Sequence, residues 1–145
     1  MKINSDLATL LEKNNHLESL IIIGHSFGGL IVTLFSESWE STFPINAHAI
    51  ASGLAKSKFD RKYLNCENPK KTKYDISKYV EYKQWRTIKD QDGIFKRLNN
   101  DPQVVTFING KTTLLPKRWK STRVGHNFSI LVVSDIILSD LQKNK

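Results

Sequence analysis

A chain of 145 residues that is 39% hydrophobic and 25% charged, with 7 Gly and 4 Pro, has the size and composition of one globular domain able to bury a core without disulfides. Its single cysteine, Cys66, excludes an internal disulfide or zinc knuckle, and no apolar run approaches the roughly 18 residues of a membrane span. The net charge of +8 is divided unequally: residues 1–55 hold two lysines against five carboxylates, net −3, and the other 90 residues hold 20 basic and 9 acidic side chains, net +11.

A basic block of this kind can meet the phosphates of nucleic acid or of an anionic membrane. No nucleic-acid motif accompanies it, so it reads as a solvated, lysine-rich surface and no nucleic-acid partner is expected. The opening MKINSDLATLLEKNNHLE carries polar residues where a secretory signal needs a continuous apolar core, and a cytoplasmic location is the expectation.

In chain order, INSDLATLLEKNNHLES spaces Leu7, Leu10 and Leu11 for a short amphipathic helix, with Ser5 or Asp6 as N-cap and a break at Asn14-Asn15. LESLIII (17–23) reads as a strand apolar on both faces, the pattern of a central parallel strand covered by helices on each side, and GGLIVTLFSES (28–38) as a helix. INAHAIAS (45–52) reads as another buried strand. Residues 53–78 show no sustained period and read as an irregular excursion or lid. YVEYKQWRTI (79–88) alternates as a strand, DGIFKRLNN (92–100) suggests a short helix, QVVTFING (103–110) a strand, and FSILVVSDIILSDL (128–141) a strongly apolar helix capped by Asn127 or Ser129. Strand, glycine turn and helix in this order indicate an α/β fold with a mostly parallel sheet and flanking helices.

The chemistry lies in LIIIGHSFGGL. Gly24-His25-Ser26-Phe27-Gly28 fits G-x-S-x-G, in which a serine nucleophile sits on a strained turn between strand and helix. The turn demands small neighbours two residues before and after the serine. It pushes the hydroxyl above the sheet and aims the Phe27 N–H and the positive end of the next helix at a developing oxyanion. The bare pattern is common; here the strand before it and the helix after it supply the context that makes it specific. Of the histidines, His25 suits a packing or hydrogen-bonding role, His16 a surface loop and His48 a buried strand position, and none has metal-ligand spacing with a carboxylate or Cys66.

With these residues the chain resembles the α/β-hydrolase superfamily. LIIIGHSFGGLIV is similar to the elbow of its lipases, esterases and peptidases, and VGHNFSILVVSDIILSDL resembles its segment in which a histidine precedes the last helix. The resemblance implies a serine hydrolase acting on carboxylic esters or lipids through an acyl-enzyme, with Ser26 as nucleophile, His126 as base and then acid, and Phe27 supplying an oxyanion N–H; no cofactor or metal is implied. TIKDQDGIF resembles the family's acid turn, which makes Asp92 the acid with Asp90 behind it and leaves 34 residues before His126 for a helix and a strand. Set instead against FINGKTTLLP, the acid position falls on Thr113. The family has about four strands ahead of the elbow that residues 1–19 do not hold, so the expected fold is a partial α/β-hydrolase fold lacking its N-terminal strands, within a single domain. Such a fragment, catalytically inactive and acting as an interaction module through an exposed sheet edge, is the alternative to the enzyme.

Overall fold

The computed structural model describes residues 2–14, 16–57 and 70–143, and its framework is four parallel strands. Their order is β1 (Leu20–His25), β2 (Ile45–Ile50), β4 (Val80–Arg86), β6 (Gly110–Leu114). Leu20 lies opposite Ile45, Ile45 opposite Val80, and Tyr82 opposite Gly110. Side chains alternate across such a sheet. Leu20, Ile22, Ile45, Ala47, Val80 and Tyr82 therefore pack on one face with Leu11 of α1 (Lys2–Glu12) and Leu30 and Phe35 of α2 (Phe27–Glu37). On the opposite face Ile50 and Trp85 meet Val132, Val133 and Ile137 of α3 (Phe128–Lys143). The chain is thus α/β, with a parallel sheet flanked by helices.

Small elements lie outside this sheet. β3 (Lys73–Asp75) pairs in parallel with β5 (Thr106–Ile108), and β7 (Arg118–Trp119) with β8 (Thr122–Arg123) in an antiparallel hairpin. Cys66 and the rest of residues 58–69 of the expected lid lie outside the described residues; β3 is the regular part of the 53–78 segment that is described.

Three expectations are corrected. α1 begins at Lys2, so Ser5 and Asp6 are interior helical residues rather than caps, and the Ser5 carbonyl accepts a hydrogen bond from Thr9 Oγ1 at 3.0 Å. No helix forms over 92–100. The Asp92 carboxylate takes the N–H groups of Ile94 and Phe95 as an N-cap would and one Lys96 N–H to Asp92 carbonyl bond closes, but the chain then runs in turns and bends as it folds back to bring Gln103 onto the Thr87 main chain. The 103–110 strand is divided, because Asn109 adopts φ 57° and turns the chain between β5 and β6. Its side chain donates to the Ile76 carbonyl, and a Cβ at Gly110 would lie 2.9 Å from Phe107 Cβ. The segment between Asp92 and His126 consequently holds short strands and no helix.

β1, expected from its unbroken apolar run as a central strand covered on both faces, is instead an edge strand among the described residues, with Ile23 exposed. Leu20 and Ser26 donate their N–H groups to Pro44 and Ile50 across the β1–β2 ladder. By the alternation of a strand, the N–H and C=O groups of Ile21, Ile23 and His25 point away from β2. No described helix is long and apolar enough to cross a membrane.

The glycines of the turn after β1 are not equivalent. A Cβ on Gly24 would lie 2.3 Å from the Gly28 carbonyl oxygen, and one on Gly29 would lie 1.7 Å from Ser52 Oγ, whereas a Cβ on Gly28 meets nothing within 4 Å. The steric demand after the serine therefore falls on Gly29. Gly29→Ala is expected to destabilise the fold by about 1–3 kcal/mol through overpacking. Gly28→Ala, in a helical conformation without crowding, is expected to stabilise it by about 0.4–1 kcal/mol. Urea unfolding of the two variants checks the order.

Candidate active site

Ser26, Asp92 and His126 all sit at the carboxyl end of the parallel sheet, where α/β folds place their ligands. Ser26 ends β1 and precedes α2, with φ 55° and ψ −119°. For a residue with a Cβ this is strained backbone, costing on the order of 1–3 kcal/mol. The strain is held by its N–H bond to Ile50 at 2.9 Å, by the Gly29 N–H on its carbonyl at 3.2 Å, and by the close backbone approach at Gly24. Although Ser26 stands at the N-cap of α2, its hydroxyl makes no capping hydrogen bond. The N–H of Phe27, first residue of the helix, is one of the donors that a helix start leaves without an intrahelical acceptor.

Beyond the carboxyl end of β4, a 3₁₀ turn over Lys89–Gln91 leads into Asp92. The Asp92 side chain has no exposed surface and accepts four bonds. His126 Nδ1 lies 3.0 Å and Thr87 Oγ1 2.6 Å from its Oδ2, and the N–H groups of Ile94 and Phe95 reach Oδ1 at 2.8 and 3.1 Å. Burial alone raises the Asp92 pKa. The bonds from His126 and Thr87, the His126 charge and the Ile94 N–H outweigh it and hold the carboxyl below its ordinary value. An ionised carboxylate only accepts, so the proton of this bond belongs to His126 Nδ1, and in the neutral imidazole Nε2 carries the lone pair. The ring of His126, 8% exposed, packs edge-on against Phe95 and His25 at centroid distances of 5.3 and 4.7 Å.

The structure therefore brings Asp92 and His126 into contact across 34 residues. Asp90 points to solvent with 88% of its side chain exposed, and Thr113 lies within β6 opposite Trp85. Ser26 and His126 are not hydrogen-bonded to each other; His25, the neighbour of Ser26, bridges them through its Nε2 at 3.0 Å from the His126 carbonyl. Two supporting residues escaped the sequence reading. Thr87 bonds Asp92, and the buried Gln103 holds the Thr87 main chain, accepting its N–H at 2.9 Å and donating to its carbonyl at 3.0 Å. No motif marks either residue, because their role depends on where the 87–103 loop folds back. His48 is half-buried in β2 and accepts from Trp85 Nε1 at 3.1 Å.

An open groove of about 670 Å³ lies elsewhere, between the end of α2 and β3, and none of Ser26, Asp92 and His126 lines it. No cluster of His, Cys, Asp or Glu suited to a metal ion occurs among the described residues.

Comparison with models of known protein families, with curated proteins and with solved structures finds no match.

Two outcomes follow from the buried carboxylate. Its folded-state pKa lies below the unfolded value of about 3.9, so its stabilisation is complete above that pH and is lost as pH falls through the folded value. The stability gap between wild type and Asp92→Asn, from urea unfolding at a series of pH values, should be constant near neutrality and close in acid below about pH 4. Thr87→Val should cost roughly 1–3 kcal/mol by leaving the carboxylate one donor short; Thr87→Ser, which keeps the hydroxyl, should cost much less in the same measurement.

Proposed function

We propose that the chain is a serine hydrolase of the α/β-hydrolase type that cleaves carboxylic esters through an acyl-enzyme. The observation that carries this reading is the buried Asp92–His126 pair standing at the same carboxyl end of the sheet as a strained Ser26 whose hydroxyl makes no capping bond. Ser26 Oγ attacks the ester carbonyl carbon while His126 Nε2 takes the hydroxyl proton, and the bond with Asp92 orients the ring and stabilises the imidazolium that forms. The Phe27 N–H and the N-terminus of α2 bind the oxyanion. Collapse of the tetrahedral intermediate expels the alcohol, which receives the proton from His126. Water, activated by the same nitrogen, then attacks the acyl carbon and releases Ser26. This chemistry needs no cofactor.

The apolar side chains of Phe27 and Ile94, exposed by 47% and 40% beside Ser26 and Asp92 in sequence, favour an apolar acyl group or a lipid as substrate. A fluorophosphonate probe should label the wild type at Ser26 and leave Ser26→Ala unlabelled; equal labelling of the two would refute the reading. Asp92→Asn should lower kcat for a nitrophenyl ester by roughly 10³–10⁴-fold.

The outer edge of β1, unpartnered among the described residues, favours a second reading, an inactive interaction module that pairs with another chain. The strand Leu20–His25 has no Lys, Asp, Glu or Pro to discourage such pairing. On this reading the chain turns over no ester and sediments as an assembly that Ile23→Lys disperses to monomers.

A further inference from the structure

The main chain of His126 is held as firmly as its ring. Its carbonyl accepts from His25 Nε2 at 3.0 Å and from the Ser129 hydroxyl, while its ring lies between those of His25 and Phe95. His25 is fixed in its turn. It is the last residue of β1, paired with Ile50, and the next residue is Ser26, whose N–H is bonded to Ile50. One side chain therefore ties the strand that carries the serine to the loop that carries the histidine, 101 residues away.

We infer that His25 is a positioning residue, whose Nε2–H bond to the His126 carbonyl sets the reach of the His126 ring toward Ser26. The inference rests on the hydrolase reading for its catalytic consequence, though not for the bond itself. A carbonyl accepts only, so His25 must carry its proton on Nε2. Burial, with the nearby His126, pushes its pKa below the ordinary imidazole value, against the opposing pulls of its own hydrogen bond and of Asp92. His25 therefore donates as a neutral ring and places no second positive charge beside His126 when that residue accepts the serine proton. A glutamine can present an amide N–H close to the position of Nε2, whereas phenylalanine keeps the ring contact and has no donor.

The test uses the intact chain with ¹⁵N-labelled histidine. Long-range ¹H–¹⁵N spectra should show His25 as the Nε2–H tautomer and a sheltered Nδ1 proton on His126. In His25→Phe that Nδ1 signal should broaden or exchange, and kcat for a nitrophenyl ester should fall about tenfold, the rate equivalent of one hydrogen bond, with KM unchanged. His25→Gln should recover most of both losses. The Nδ1–H tautomer at His25 in the wild type would overturn the inference, even if no variant folds. So would a His25→Phe protein with an undisturbed His126 signal, or a His25→Gln protein as impaired as His25→Phe. Absence of fluorophosphonate labelling in the wild type would refute the hydrolase reading alone, since the tautomer and the His126 signal still decide whether His25 holds the loop.

Discussion

A carboxylate withdrawn completely from water persists as an anion only where donors replace its hydration, and Asp92 is such a group. Its four donors come from three places: Thr87 at the end of β4, the main chain of Ile94 and Phe95 in the following turn, and His126 just before α3. Satisfying the carboxylate therefore draws these segments together. Gln103 extends the arrangement by binding the main chain of Thr87 on both sides, much as a neighbouring strand would, and Gln84 on β4 donates to the Gln103 carbonyl at 2.8 Å. The loop from Thr87 to Gln103 is irregular, yet its polar groups are tightly paired, and a fixed bond to His126 follows from that pairing.

The serine side of the site is set by contact rather than by charge. Gly24 lets the backbone of Gly28 approach, and Gly29 lets α2 press against Ser52, so the helix starts immediately after the strand and Ser26 is forced to positive φ. Ala51, at the end of the neighbouring strand, also has positive φ, 47°, and its N–H bonds to Trp85. Two strained residues at the ends of adjacent parallel strands are held by ladder-type hydrogen bonds to the next strand. The parallel sheet places these ends side by side, and His25 spans the remaining gap to His126.

Elements whose apolar period is long and local were legible in the sequence. β1, α2, β2, β4 and α3 all form where their patterns place them, with ends moved by a few residues. The failures have a common cause in side chains and turns that compete with local preference. Asp92 accepts the Ile94 and Phe95 N–H groups as an N-cap would, but the chain beyond Lys96 folds back in turns and bends so that Gln103 can bind Thr87, and Asn109 adopts a left-handed conformation that divides one expected strand between two sheets. Ser5 and Asp6 look like helix caps in isolation, but α1 runs through them and packs Leu11 into the core.

The sequence by itself determined the strand–serine–helix turn, because glycine spacing and apolar runs act over a few residues and need no distant partner. The resemblance read from it also left the expected acid position at Asp92, at Asp90, or at Thr113 with no carboxylate, and marked His126. Only the tertiary structure decided that Asp92 meets His126 while Asp90 faces solvent, that Gly29 rather than Gly28 is crowded, and that Thr87, Gln103 and His25 support the site. Each of these depends on contacts between residues far apart in the chain, and burial together with hydrogen-bond satisfaction, which no local pattern encodes, selects among them.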